Sequence, residues 1–148
     1  MIKRILVPTD GTERANEACN MAISLAKENG ATIKILSVVD QSEIRNISRI
    51  VEAVGPVRQM IEDDYRKAAI EASERLQKKC ILAGVNAETV IREGQSAEEI
   101  VNEAKESQTD LIVMGQPKGS WKLLSVLFQK IGRSLIERRS GVPVLIIP

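Results

Sequence analysis

The sequence contains no histidine, and this absence excludes several kinds of site at once. Without imidazole there is no histidine general base, no serine–histidine or cysteine–histidine dyad and no histidine metal ligand. The only two thiols, Cys19 and Cys80, are far apart in the sequence and form no CxxC pair. Cys19 falls at an apolar position of a helical pattern. We therefore expect a small buried hydrophobic side chain in a reducing compartment.

Aromatic residues, excess charge and long apolar runs are also scarce. Phe, Trp and Tyr make up 2% of the 148 residues, so the core must be built from aliphatic side chains. The formal net charge is only +1, which provides no field to attract nucleic acid or an acidic membrane. No apolar run approaches the roughly 20 residues that cross a bilayer, and "MIKRILVPTDG" does not resemble a signal peptide. We expect a cytoplasmic protein that binds neither nucleic acid nor membrane.

Short apolar runs and helical patterns alternate along the whole chain. The runs are typical of strands buried on both faces. This alternation predicts an α/β fold: a doubly wound five-stranded parallel sheet of order 3-2-1-4-5, with helices on both faces, in a single domain over residues 1–148. The predicted strands are "KRILVPTDG", "TIKILSVVD", "NAETVIREG", "DLIVMG" and "VPVLIIP".

The predicted helices differ in how clearly the sequence marks them. Thr12 is a good cap for the first helix, which Asn29-Gly30 ends. Residues 41–56 we interpret as a mobile connection with a short helix, and the last helix as roughly residues 130–139. Ser96 followed by Glu99 predicts a capping box at the start of another helix. A long helix from Val57 to about Ala83 is expected to point Met60, Ile61, Tyr65, Ala68, Ala69, Ala72, Leu76 and Cys80 inward.

Ligands of doubly wound sheets bind beyond the carboxyl ends of the strands. Thr9 and Asp10 follow the first strand, where either turn chemistry or contact with a ligand explains them. Val38 and Met114 end the second and fourth strands. They are either strand-end core residues or an apolar slot for a flat ring such as adenine.

The segment "GQPKG" after the fourth strand has the composition of an anion-binding loop. The amides of Gly115 and Gly119 could turn toward a phosphate, with Lys118 as counter-charge. The segment is neither a Walker A loop nor a GxGxxG turn. Glycines on either side of Pro-Lys are also common in ordinary loops, so both interpretations stay open.

The chain resembles the universal stress protein family over essentially its whole length. The segment "KRILVPTDGTERANEACNMAISLAKENGATIKILSVVD" is similar to the family's first strand, helix and second strand. The segment "VIREGQSAEEIVNEAKESQTDLIVMG" is similar to its third strand, third helix and fourth strand, and "SGVPVLIIP" to its last strand. The resemblance implies an adenine-nucleotide alpha-hydrolase-like fold. It also implies a role in stress response, in a family that contains members that bind ATP and members that do not.

In the ATP-binding members, a G-x2-G-x9-G-[ST] motif after the fourth strand wraps the phosphates. By position, the resemblance implies adenosine contacts at the end of the first strand, an adenine-side residue on the second strand and a phosphate loop after the fourth. Mg²⁺ or Mn²⁺ could accompany the phosphates, with no metal site of the protein's own. The implied residues are Pro8, Thr9, Asp10, Val38, Met114, Gly115, Lys118, Gly119, Gly132 and Ser134.

The glycine motif itself departs from the family pattern. Three residues instead of two separate Gly115 from Gly119, and twelve instead of nine separate Gly119 from Gly132. Arg133 stands where the family has Ser or Thr, and the hydroxyl comes only at Ser134. ATP binding is therefore one of two functions that stay open.

The second function uses an apolar segment inside the altered loop. Trp121, Leu124 and Phe128 recur at helical spacing within residues 120–131. This segment either packs on its own domain, covers the crevice as a lid, or docks a protein partner. In the last case the chain is a dimeric interaction module that binds no nucleotide. Neither function is enzymatic, because no histidine or acidic cluster is placed to activate water, and slow ATP hydrolysis stays compatible with the first function.

The predicted strand order places "VPVLIIP" at an edge of the sheet. An unpaired apolar edge strand is prone to association unless it is covered. We expect a homodimer in which two copies of this strand pair antiparallel, as the resemblance also implies. Val142, Val144 and Ile146 would be shielded there.

Overall fold

The computed structural model of the protein describes residues 1–51, 57–116 and 133–148. Five parallel strands form a sheet of order β3-β2-β1-β4-β5, which confirms the predicted α/β topology. The strands are β1 (Arg4–Thr9), β2 (Thr32–Asp40), β3 (Ala87–Gly94), β4 (Leu111–Gly115) and β5 (Val144–Ile147). The described helices are α1 (Glu13–Asn29), α2 (Gln41–Val51), α3 (Arg58–Leu82), α4 (Ser96–Glu106) and α5 (Arg133–Ser140).

Helices on both faces of the sheet divide the core into two layers. Successive strand residues point to opposite faces, so Ile5 and Val7 pack with α1 and α3, whereas Leu6 packs with α4 and α5. These three side chains are at most 1% exposed. Burying an aliphatic side chain of this size stabilises the fold by about 1.5–3 kcal/mol. The central strand β1 is thus the main link between the two layers.

The first helix begins and ends where the sequence predicts. The amide of Ala15 donates to Thr12 Oγ1 over 3.4 Å, which confirms Thr12 as the cap. Gly30 adopts a left-handed conformation with φ +66°, and its amide donates to the carbonyl of Ala26. Glycine adopts this conformation without a steric penalty, so α1 ends there and β2 follows two residues later.

Helix α2 replaces most of the predicted mobile connection. Residues 41–51 are helical, and Asp40 explains the start of the helix. Its Oδ1 accepts hydrogen bonds from the amides of Ser42 at 2.9 Å and Glu43 at 3.1 Å. These bonds satisfy two amides that have no partner within the helix. Residues 52–56 lie outside the described part of the chain.

The predicted capping box at Ser96 is wrong. Ser96 is the first residue of α4, after a Gln95 cap whose side chain makes no capping bond. The Ser96 hydroxyl donates instead to Asp40 Oδ2 at 2.7 Å. The carboxylate of Glu99 accepts from Arg92 Nε at 2.7 Å. Both side chains are thus engaged by charge-assisted hydrogen bonds with residues outside α4, Ser96 with the Asp40 carboxylate and Glu99 with the Arg92 guanidinium.

The inward face predicted for α3 is correct for only half of the helix. Leu76 and Cys80 are at most 7% exposed, whereas Met60 is 65% exposed. Ala68 is also exposed. The residues of α3 that line a cavity lie between Asp64 and Arg75, whereas Leu76 and Cys80 beyond them pack in the core on the sheet.

The last described helix, α5, covers Arg133–Ser140, which agrees with the predicted helix over roughly residues 130–139 where the two can be compared, and residues 130–132 lie outside the described part. None of the helices in the described ranges combines the length and apolar character needed to cross a bilayer.

Candidate functional site

A cavity of about 840 Å³ lies at the carboxyl end of the sheet. Its volume falls within the roughly 300–1,000 Å³ typical of small-molecule sites. The position is the crevice in which doubly wound sheets bind ligands. Its walls include six residues that the sequence predicted for a site: Pro8, Thr9, Asp10, Val38, Met114 and Gly115.

The loop after β1 is held by its own hydrogen bonds. Thr9 Oγ1 accepts from the amide of Gly11 at 3.1 Å. Asp10 Oδ1 accepts from both the amide of Thr12 at 3.0 Å and its hydroxyl at 2.6 Å. Turn chemistry therefore accounts for one Asp10 oxygen. The other oxygen accepts no hydrogen bond from a described residue, and the side chain lines the cavity.

Apolar side chains form another part of the cavity wall. Val38 at the end of β2 is half-buried, and Met114 near the end of β4 is 6% exposed. On the α3 side, Ala68 and Ala69 present small side chains. The slot predicted from Val38 and Met114 thus coincides with a cavity wall.

Gly115 lies where β4 and α1 approach each other closely. A Cβ atom on this residue would lie 2.7 Å from the backbone carbon and oxygen of Arg14 and 3.0 Å from the amide nitrogen of Ala15. The guanidinium of Arg14 also donates to the carbonyl of Gln116 at 3.3 Å. Only glycine fits this approach. Gly115 therefore has a packing role. From the sequence it was interpreted only as the start of a phosphate loop.

Helices α2 and α3 contribute polar residues that the sequence did not identify as site residues. Glu43, Tyr65 and Arg75 all line the cavity. The Tyr65 hydroxyl donates to Glu43 Oε1 at 3.1 Å. Burial, together with the Glu43 carboxylate, raises the pKa of Tyr65 to about 12, so the hydroxyl keeps its proton at neutral pH. Arg75 is exposed and forms no ion pair with any described residue.

A pattern in α3 could have revealed this wall. Tyr65, Ala68, Ala72 and Arg75 follow each other at spacings of three or four residues and lie on one face of the helix. A core-facing stripe would carry large aliphatic side chains at most of these positions. Alanines bounded by a tyrosine and an arginine are better suited to the wall of a polar cavity.

The remaining predicted site residues are not part of the described cavity wall. Ser134 is half-buried in the first turn of α5 and does not line the cavity. Its role in binding phosphate stays a prediction. The other predicted positions lie outside the described residues, and their roles also stay predictions: Lys118, Gly119, Trp121, Leu124, Phe128 and Gly132.

The carboxylates around the cavity do not form a metal site in the described ranges, where no group of three or more Asp, Glu, Cys or His side chains is arranged around a common point. Asp40 is already engaged by three donors, the Ser96 hydroxyl and the amides of Ser42 and Glu43. Asp10 and Asp64 line other parts of the wall.

Known proteins resemble this chain over its whole length. The family model of the Universal stress protein family matches residues 1–148. Universal stress protein YxiE of Bacillus subtilis is 30% identical, over 99% of this chain and 99% of that protein. The structure of UspA from Lactobacillus plantarum has a TM-score of 0.79 at 26% identity, covering 99% of this chain and 98% of that one.

A universal stress protein solved in complex with cAMP has the same fold, with a TM-score of 0.69 at 22% identity over 99% of this chain and 97% of that chain. The whole-length family match, the similarity to YxiE and the shared sheet topology agree with one another. The chain therefore belongs to the universal stress protein family.

Proposed function

We propose that this protein is a nucleotide-binding module that holds an adenine nucleotide in the cavity at the carboxyl end of the sheet. The observation that carries the proposal is the convergence of six predicted residues on one cavity of about 840 Å³. These residues come from the ends of β1, β2 and β4 and line one space of ligand size. They lie together because parallel strands end at the same edge of the sheet.

The adenosine part fits the described wall. Val38 and Met114 offer an apolar surface for the base, and Pro8 lies beside them at the end of β1. The Asp10 oxygen that the turn does not use is an acceptor for a ribose hydroxyl. Such a site, mostly apolar with a few fixed polar groups, is typical of small-molecule binding.

The phosphate part would meet Arg75 on α3. Its guanidinium lines the cavity and has no ion-pair partner among the described residues, so it is available to an anion. Lys118, Gly119, Gly132 and Ser134 remain proposed contributors. ATP with Mg²⁺ or Mn²⁺ is the expected ligand. The cAMP complex of a protein with the same fold makes cAMP a second ligand to test.

We infer a binding role without rapid turnover. The sequence has no histidine to act as a general base at neutral pH. The Asp40 carboxylate is engaged in holding α2 and α4, as its three hydrogen bonds show. One of the carboxylates that line the cavity is therefore already used in the structure.

Isothermal titration calorimetry with Mg-ATP, cAMP and adenosine tests this function. We expect heat of binding for at least one adenine ligand. Arg75→Ala should weaken binding of ATP about tenfold while leaving adenosine unaffected, because the lost contact is with phosphate. Lys78→Ala is the matched control, since Lys78 is an exposed cation on the same helix that does not line the cavity. No heat with any of the three ligands in the millimolar range would refute the function.

We also propose that the protein forms a homodimer through β5. This strand is at the edge of the sheet, and its Leu145 side chain is 37% exposed. Val142 and Val144 are already buried in their own core, so pairing would mainly cover Leu145 and the half-buried Ile146. Edge strands with exposed apolar residues are prone to pair.

Sedimentation equilibrium distinguishes the dimer from the monomer. Leu145→Lys should shift the protein to monomer, because it places a charge in the proposed interface. Leu82→Lys is the control, since Leu82 is an 88% exposed leucine near the end of α3, away from β5. A wild-type monomer at micromolar concentration would count against the dimer.

A further inference from the structure

The two cysteines of the chain lie in contact although 61 positions separate them in the sequence. Cys19 on α1 and Cys80 on α3 have their Sγ atoms 3.7 Å apart. Both side chains are 0% exposed. Burial confirms the expectation for Cys19, whereas the pairing is a product of the fold, which packs α1 and α3 on the same face of the sheet.

Closing a bond between the two thiols requires a movement of the sulfurs. A disulfide bond is about 2.05 Å long, so the sulfurs must move together by roughly 1.6 Å from their present separation. Ala18 and Ala22, which lie on α1 near Cys19, belong to the same buried cluster and have small side chains. One turn away, Lys79 Nζ donates to Asn16 Oδ1 at 2.8 Å and ties α1 to α3.

The two sulfurs are chemically distinct. The hydrogen-bonding contact with Cys80 lowers the pKa of Cys19, and the nearby Lys79 ammonium acts in the same direction against the effect of burial. The same hydrogen bond and burial raise the pKa of Cys80. Cys19 is therefore the thiol that loses its proton first and attacks an electrophile.

We propose that Cys19 and Cys80 are a redox modification site that closes to an intramolecular disulfide on reaction with a peroxide. The Cys19 thiolate attacks one peroxide oxygen, the O–O bond breaks, and a sulfenic acid and hydroxide form. The Cys80 sulfur then attacks the sulfenic sulfur, the S–O bond breaks and hydroxide leaves. With the two thiol protons, one hydrogen peroxide yields one disulfide and two waters. The two thiols supply the two electrons.

The bond would connect α1 and α3, two helices that each contribute residues to the cavity wall. Cys19 lies four residues after Ala15 on α1, and Cys80 lies eight residues after Ala72 on α3. Both alanines line the cavity. The site does not require a bound nucleotide, so the proposal stands independently of the proposed function. Because neither sulfur is exposed, the oxidant reaches them through local opening of the helix pair, and we expect slow oxidation.

Peroxide treatment of the folded full-length protein tests the site. After quenching, denaturation and alkylation with N-ethylmaleimide, intact mass spectrometry counts the remaining thiols. We expect that neither cysteine is alkylated and that the mass is lower by two hydrogen atoms than that of the reduced, unalkylated protein. We also expect a Cys19–Cys80 crosslinked peptide that dithiothreitol abolishes. The thermal midpoint of the oxidised protein should rise by several degrees, because the bond closes a long loop in the unfolded chain.

Cys80→Ala and Cys19→Ala are the matched variants, and circular dichroism is used to check that they fold. Cys80→Ala should stop at the Cys19 sulfenic acid, which dimedone traps, whereas Cys19→Ala should react more slowly. The proposal is overturned if both wild-type thiols stay free under conditions that fully oxidise glutathione. It is also overturned if a disulfide forms only between two chains or only in urea that unfolds the protein.

Discussion

The amino and carboxyl ends of the sheet differ in where their polar groups lie, because those at the carboxyl end line a cavity of ligand size. At the amino end, short connections join helices to strands, and the Asp110 carboxylate accepts from the amides of Lys3 at 2.8 Å and Arg4 at 2.9 Å. At the carboxyl end, Asp10 and Arg75 keep hydrogen-bonding groups that no described residue satisfies, around a cavity of ligand size. The comparison teaches that the amino end serves folding, while the carboxyl end also retains capacity for a ligand.

Helix α3 extends from one end of the sheet to the other, so two substitutions that shorten side chains in this helix test the comparison most strongly. Leu76→Ala should lower the free energy of unfolding by about 2–4 kcal/mol, because Leu76 is 7% exposed and packs in the core. Met60→Ala should change it by less than about 0.5 kcal/mol, because Met60 is 65% exposed. Urea denaturation measures both. Equal losses would contradict the assignment of Leu76 to the core and of Met60 to the surface of α3.

Gly115 is the residue at the carboxyl end for which we expect a structural cost. Gly115→Ala should destabilise the protein by about 1–3 kcal/mol, because the new Cβ would lie 2.7 Å from the backbone of Arg14. Gln116→Ala, at the next residue, is the control and should cost less than about 0.5 kcal/mol. If Gly115→Ala retains wild-type stability, the close approach of β4 and α1 is not as tight as described.

The hydrogen bond between Ser96 and Asp40 connects α4 to the end of β2 at 2.7 Å. Ser96→Ala should cost about 1–2 kcal/mol, because the bond has an ionised acceptor. A double-mutant cycle with Asp40→Asn should show coupling of about 0.5–1.5 kcal/mol. Simple additivity of the two substitutions would mean that the bond contributes nothing in solution.

Asp110→Asn at the amino end should lower the free energy of unfolding least among these substitutions, and its effect should depend on pH. The hydrogen bonds that its carboxylate accepts from two backbone amides lower the pKa of Asp110 below the usual value. Its stabilising contribution is therefore complete above the unfolded pKa, near pH 4, and is lost as pH falls through the lower folded pKa. Because the carboxylate is exposed, we expect at most about 1 kcal/mol.

Unfolding measured from about pH 2 to about pH 7 detects this contribution, because this range covers the ordinary pKa values of carboxylates. In Asp110→Asn the corresponding part of the acid-induced loss should disappear. An unchanged slope in the variant would show that the two amide bonds do not persist in solution.

The sequence predicted the fold well because the signals were local and repeated. Strand runs such as Ile5 to Val7 and the turn at Gly30 depend on neighbouring residues, and the structure confirms both. The capping box at Ser96 failed because the competing partner, Asp40, comes from another strand. No local pattern contains that contact.

The site was predictable only in part for the same reason. Pro8, Asp10 and Met114 end strands, so topology alone places them at the cavity. Arg75 and Tyr65 lie in the middle of a helix, and their role depends on which part of α3 extends beside the cavity. The contact of Cys19 with Cys80 likewise depends on tertiary packing between distant helices.

Backbone amide chemical shifts during a titration with Mg-ATP test the central claim most directly, because they report on both ends of the sheet at once. We expect the largest changes at Asp10, Val38 and Gly115, with no change at Gly30 or Asp110. Changes confined to the amino end, or none anywhere with ATP, cAMP or adenosine, would contradict the assignment of a nucleotide to the carboxyl end.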